Sequence, residues 1–211
     1  MKFKIKDKGN KNFGQECEAV LAELKASGQR PRLLLHACCA PCSSYCLEYL
    51  EPFFDITVFF YNPNMDTKEE FVRRSAELER FVDVSHMNVK VTIERYAPQE
   101  FYNAVRGLEA EPEGGERCFK CYELRLRAAA KYAADNSFDY FTTTLSISPH
   151  KNAAVLNEIG ERLGFECGVR FLPSDFKKKD GFKRSIELSM QYGLYRQNYC
   201  GCVYSKEDSP A

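Results

Sequence analysis

Leu33-Leu34-Leu35-His36-Ala37-Cys38-Cys39-Ala40-Pro41-Cys42 is an apolar run that gives way to a histidine, three cysteines and a proline. A short uninterrupted apolar run suits a strand buried on both faces, and a proline just beyond it suits the first turn of a following helix. The spacing predicts a strand over Arg32 to His36, a short helix over Pro41 to Leu50, and a second strand over the β-branched and aromatic run Ile56 to Tyr61. This is a β-α-β unit, which sets two parallel strands side by side.

The alternation extends in both directions. Upstream, Phe13, Cys17, Val20, Leu21 and Leu24 follow helical spacing, and Gly28 supplies a stop, so Cys17 is expected in the core. Downstream, a charged amphipathic helix is predicted from about Lys68 to Phe81, a strand over Val89 to Ile93 and a helix over Pro98 to Arg106. Gly114-Gly115 then interrupts the chain before a helix that runs to Asn136. A strand over Phe138 to Thr143, a helix over Asn152 to Leu163 ended by Gly164, and a last short strand over Glu166 to Leu172 follow. Beyond Pro173 come a basic loop, a helix over Lys183 to Tyr192 and an aromatic, polar tail. The expected fold is α/β, a mostly parallel sheet with helices on both faces.

The chain has 211 residues, 44% of them hydrophobic, which suits one core at ~100–200 residues per domain. Its 30 basic and 30 acidic residues cancel, so a polyanionic partner would have to be met by a local patch. Lys177, Lys178, Lys179, Lys183 and Arg184 form the candidate. No stretch reads as a signal peptide or a membrane span, which places the expected location in the cytoplasm. Structural disulfides are rare in that reducing compartment, and clustered thiols there are more often ligands or redox groups.

Seven of the ten cysteines fall in three tight groups: Cys38, Cys39 and Cys42; Cys118 and Cys121; Cys200 and Cys202. A disulfide between the adjacent Cys38 and Cys39 is disfavoured, because neighbouring α-carbons are about 3.8 Å apart and a disulfide wants ~4.4–6.8 Å. At a helix start their thiols are expected to have lowered pKa values, which favours metal ligation. Cys118 and Cys121, three apart at the next helix start, share one face and can grip one centre. Four such thiolates suit either tetrahedral zinc or a cubane iron-sulfur cluster, and the spacing does not choose. Cys42 starts to turn away from Cys38 and is left unassigned, while Cys46 and Cys167 read as packing. The glycine between Cys200 and Cys202 lets the backbone bend, so a redox pair, two further metal ligands and two idle thiols all remain open. His36 and His150 lie near the expected site, and His86 reads as surface. A ligand site in such a sheet lies beyond the strand carboxyl ends, where a glycine-rich phosphate loop is missing and cysteines stand instead.

Four motifs in order carry a resemblance: the strand with His36-Ala37-Cys38-Cys39-Ala40-Pro41-Cys42, the Cys118/Cys121 pair, Thr143-Thr144-Leu145-Ser146-Ile147-Ser148-Pro149-His150-Lys151, and Tyr195-Arg196-Gln197-Asn198-Tyr199-Cys200-Gly201-Cys202. Together they resemble the QueH type of epoxyqueuosine reductase, across roughly Arg32 to Cys202. The resemblance implies a Rossmann-like, adenine-nucleotide-hydrolase-like fold and an oxidoreductase that reduces epoxyqueuosine at the tRNA wobble position to queuosine with loss of water. It implies a [4Fe-4S] cluster on Cys38, Cys39, Cys118 and Cys121, and a redox-active disulfide between Cys200 and Cys202. It leaves room for an additional iron without naming its ligands, and for an unidentified electron donor. On this reading residues 1–30 are an N-terminal extension with one helix, and residues 31–211 a single α/β catalytic domain with a C-terminal redox tail. Lys177, Lys178, Lys179, Lys183 and Arg184 are then candidates for tRNA phosphates, and Tyr195, Arg196 and Tyr199 for base stacking. A tRNA sulfur transferase, which needs a phosphate loop, and a zinc-stabilised RNA-binding module are the competing readings.

Overall fold

Residues 11–207 are described by a computed structural model. Residues 1–10 of the expected extension and 208–211 of the expected tail lie outside the described residues. The elements run α1 (Phe13–Ser27), β1 (Arg32–Ala37), α2 (Ala40–Leu50), β2 (Asp55–Phe60), α3 (Lys68–Ser85), β3 (Lys90–Ile93), α4 (Pro98–Val105) and α5 (Glu116–Asp135). Then come β4 (Tyr140–Thr143), a 3-10 turn (Thr144–Ile147), α6 (Ala153–Cys167), β5 (Arg170–Phe171), α7 (Gly181–Gln191) and α8 (Val203–Glu207). Among the described residues, five strands form one all-parallel sheet in the order β3-β2-β1-β4-β5.

Helix starts follow the local signals. The side chains of Asn12, Thr67 and Asn152 each accept a hydrogen bond from a backbone N–H of the first turn, and Glu69 and Glu70 complement the positive end of α3. The sheet buries both faces with a period of two. Leu33, Leu35 and Ala37 pack with Ile56, Val58 and Phe60 beneath Leu21, Leu47 and Leu78. Leu34 packs the other way, with Phe59 and Phe141 beneath Leu126, Ala130 and Ile159 of α5 and α6. Cys17 and Cys46 belong to the first of these layers, as expected.

The region around Gly164 departs from expectation. Helix α6 runs through Gly164 to Cys167 and is ended instead by Gly168, at φ 72°. A Cβ at residue 164 would stand 2.7 Å from the Val169 carbonyl oxygen, so this glycine permits the helix to touch the chain returning into the sheet. The expected strand over Glu166 to Leu172 accordingly shrinks to Arg170–Phe171, and Cys167 occupies the last turn of a helix rather than a strand.

The site follows from the strand order. From the central β1 the chain passes to β2 on one side and later to β4 on the other, so a crevice opens between the carboxyl ends of β1 and β4. His36 pairs in register with Thr143, which brings Cys38 and Cys39 beside the Thr144–Ile147 turn. Among the described residues no helix is long and apolar enough to cross a membrane.

Candidate active site

Cys39 is the N-cap of α2, in extended conformation, and its carbonyl accepts hydrogen bonds from the backbone N–H and the hydroxyl of Ser43 at 3.1 and 2.8 Å. Pro41 sits in the first turn, where its missing N–H costs nothing. The extended cap folds Cys38 back over that turn, leaving its Sγ 3.6 Å from Cys39 Sγ. The ligand atoms of Cys38, Cys39 and Cys42 all lie within 4.8 Å of one another, the one such group found among the described residues. Cys42 therefore faces Cys38 rather than turning away from it, because the cap places residue 38 off the path of an ideal helix.

The expected lowering of thiol pKa values holds only for Cys38. The thiols of Cys39 and Cys42 donate to its sulfur and Arg125 adds positive charge, which together overcome burial and hold Cys38 well below the usual thiol range. Donating to Cys38 pushes Cys39 up to about 12, and the same bond with burial pushes Cys42 well up. Adjacent sulfurs resist being anionic together, so lowering Cys38 goes with raising its two neighbours.

Cys118 and Cys121 lie in the first turns of α5. The Gly114 N–H donates to Cys118 Sγ at 3.2 Å, yet burial still raises the Cys118 thiol and takes Cys121 up to about 12. Cys121 packs with Cys202, Phe101 and Val105, outside the Cys38 group. Two buried arginines face the sulfurs. Arg125, one turn beyond Cys121, donates to Asn62 Oδ1 at 2.5 Å, has its Nε 3.4 Å from His36 Nε2, and lies in the field of Cys121, Cys38 and Cys200. Arg74 is held by Glu70 at 2.6 Å and lies in the field of Cys39 and Cys38, while its Nη2 has no hydrogen-bond partner among the described residues. His36 is fully buried between Thr143 Oγ1 at 2.9 Å and the Tyr61 carbonyl at 3.2 Å. Burial and the neighbouring Arg125 lower its pKa to about 3, so it braces the site as a neutral ring.

The tail closes over this crevice. The Lys151 ammonium donates to Cys200 Sγ at 3.1 Å, and the Cys200 carbonyl accepts from Arg74 at 3.2 Å. Asp66 fastens the same segment: its N–H donates to the Gly201 carbonyl at 2.8 Å, and its carboxylate accepts from Tyr199 and Lys206 at 2.9 and 3.0 Å. A cleft of about 430 Å³ results, lined by Cys38, Cys42, Arg125, His150, Lys151 and Cys200 among others. All ten cysteines carry free thiols, Cys200 and Cys202 among them.

Gly201 has φ 114°, and a Cβ there would stand 2.7 Å from Met65 Sδ and 3.1 Å from Arg74 Nη1. Met65 is buried, with little room to yield. Gly201→Ala is expected to destabilise the protein by about 1–3 kcal/mol through backbone strain and overpacking, read by chemical denaturation. A change below about 0.5 kcal/mol, the ordinary range of surface substitutions, would show that the tail adjusts freely.

The basic loop is less available than its sequence suggests. Lys177 pairs with Asp175, Lys179 with Glu18, and Arg184 with Glu48 and Glu187. Lys178 and Lys183 have no carboxylate within ion-pair distance among the described residues. Tyr195 is also engaged elsewhere, its ring 3.4 Å beneath the Arg73 guanidinium and its hydroxyl against Glu70. Arg196 and Tyr199 do line the cleft. His86 is an exposed cap of α3. Lys151 closes the Thr143 to Lys151 motif with no role attached, and Arg74, Arg125, Asn62 and Asp66 stand outside every motif. The four-residue spacing from Cys121 marks Arg125, and Lys151 adjoins His150, but nothing local marks the others.

The sequence model of a family described as "Epoxyqueuosine reductase QueH" matches residues 33–208. A Streptococcus pyogenes serotype M1 protein, "Epoxyqueuosine reductase QueH", is 47% identical over 198 residues, covering 92% of this chain and 78% of the relative. A Staphylococcus epidermidis protein of the same description is 42% identical over 200 residues, covering 92% and 84%. One from Thermotoga maritima is 33% identical over 176 residues, covering 82% and 89%.

Proposed function

Because the chain belongs to the QueH family of epoxyqueuosine reductases, we propose that it reduces the epoxide of epoxyqueuosine at the tRNA wobble position to the cyclopentene of queuosine. The observation that carries this reading is the single cleft in which Cys38, Cys42, Arg125, Lys151 and Cys200 converge. Opening the epoxide and releasing its oxygen as water takes two electrons and two protons. The Cys200/Cys202 dithiol holds both: its oxidation to a disulfide yields two electrons and the two Sγ protons.

The proposal includes a [4Fe-4S] cluster on Cys38, Cys39, Cys118 and Cys121. Soft sulfur donors with no carboxylate or imidazole among the close group suit iron-sulfur or zinc, and only iron passes electrons. The unpartnered Nη2 of buried Arg74, with Arg125 opposite Cys38 and Cys121, fits an anionic group held among these thiolates. When bound, such a cluster supplies single electrons and Lewis acidity toward oxygen. Cys42 stands close enough to join the donor set.

The tRNA partner presents its wobble base most readily when extruded from the anticodon loop. Arg196, exposed at the cleft, and Tyr199 offer stacking surfaces, and Lys178 and Lys183 remain for phosphates. This chemistry belongs in a reducing cytoplasm. Anaerobic reconstitution with iron and sulfide, then incubation with epoxyqueuosine-containing tRNA and a reductant, is expected to give a brown protein and loss of one oxygen from the nucleoside by mass spectrometry. A colourless zinc protein, or a nucleoside that keeps its oxygen, would overturn the assignment.

A further inference from the structure

We propose that electrons enter the Cys200/Cys202 pair at Cys200, from a donor dithiol admitted through the cleft, with Lys151 positioning that sulfur and Cys202 acting as the resolving thiol. This rests on reading the two cysteines as a redox pair, and it assigns them different tasks.

The two sulfurs have opposite surroundings. Cys200 lines the cleft and has the Lys151 Nζ at 3.1 Å. Cys202 is 8% exposed and lies in an apolar cluster with Phe101, Val105 and Cys121, away from the cleft lining. A thiol-disulfide exchange requires in-line access to one sulfur, and departing anionic sulfur is favoured by a nearby cation. Cys200 alone lines the cleft and so offers the access, and the Lys151 cation beside it favours its departure in the second exchange. Lys151 itself is 7% exposed and fixed from the other side by Glu113 Oε1 at 3.1 Å, so its ammonium has little freedom to leave Cys200. Burial alone would lower the Lys151 pKa, but Cys200, Tyr122 and Glu113 more than offset it and keep the cation.

The exchange balances. A donor thiolate bonds to Cys200 Sγ of the oxidised pair; the Cys200–Cys202 bond breaks, and Cys202 Sγ leaves with its electron pair and takes a proton. The donor's second thiolate then bonds to the first donor sulfur and releases Cys200 Sγ with the other electron pair, beside the Lys151 ammonium. The donor ends as a disulfide, having delivered two electrons.

Site-resolved alkylation of the reduced holoenzyme under anaerobic conditions, quantified by peptide mass spectrometry, tests the asymmetry. Cys200 is expected to be labelled at least about tenfold faster than Cys202. Lys151→Met is expected to slow Cys200 labelling about tenfold, with Lys151→Arg restoring most of the rate. Oxidised glutathione should leave a mixed disulfide on Cys200 in Cys202→Ser and little on Cys202 in Cys200→Ser. Faster labelling of Cys202, or a Cys200 rate indifferent to Lys151→Met, overturns the inference. Failure of the underlying reading looks different: the wild-type protein then forms no Cys200–Cys202 disulfide on oxidation, whatever the labelling order.

Discussion

Arg125→Leu is expected to cost the protein about 3 kcal/mol of stability and most of its capacity to retain iron after reconstitution. Two effects compete. Leucine removes the desolvation cost of a cation that is 1% exposed, and replacing a buried ion together with its partners is often neutral. Here the partners stay. Asn62 Oδ1 loses a donor at 2.5 Å, worth roughly 1–3 kcal/mol when left buried and unsatisfied, and Cys38 loses a positive charge that helps hold it as an anion. Breaking one side of a buried charged arrangement typically costs about 3–5 kcal/mol, so the loss dominates. Asn62 also donates to the Ala37 carbonyl at 2.9 Å, so the damage reaches the loop carrying Cys38. Anaerobic denaturation under reducing conditions and iron analysis provide the measurement. Arg125→Lys, which keeps charge but lacks the guanidinium fork, should fall between. A leucine variant within about 1 kcal/mol of the wild type and fully loaded with iron would remove Arg125 from the account of the site.

The second large effect is expected from Cys200→Ser combined with Cys202→Ser, which should lower multiple-turnover reduction by about 100-fold or more. On the proposed assignment, a [4Fe-4S] centre normally carries one electron at a time and opening the epoxide takes two, so a second store is expected. Serine keeps the shape of the tail but cannot form the disulfide. The stability change should be small beside the kinetic one, because neither sulfur belongs to the two large core layers. Cys167→Ser, in the last turn of α6, serves as the comparison and should retain activity. Full multiple-turnover activity of the double variant with the native reductant would sink the proposed division of labour.

The fold was legible where local chemistry coincides with tertiary need. Leu33 to Leu35 reads as a buried strand because a short apolar run stands before a helix opened by Pro41. The helices expected from Phe13, about Lys68 and Asn152 start where Asn12, Thr67 and Asn152 satisfy amides of the first turn. Gly164 misled because a glycine that permits close packing has the same letter as one that ends a helix. Cys42 misled for a related reason: its position relative to Cys38 depends on the extended Cys39 cap, and helical periodicity begins only after that residue.

By itself the sequence determined the alternation of strands and helices, the three cysteine groups and the family they belong to, because each of these is written in residues a few positions apart. The tertiary structure alone decided which groups meet. Arg125 reaches Asn62, Lys151 reaches Cys200 and Arg74 reaches the Cys200 carbonyl across separations of 63, 49 and 126 residues. Those contacts exist because the chain leaves β1 in one direction and returns beside it at β4, opening a crevice whose walls come from distant segments. No local periodicity encodes such a meeting; it follows from the packing of the whole sheet and its two helical layers.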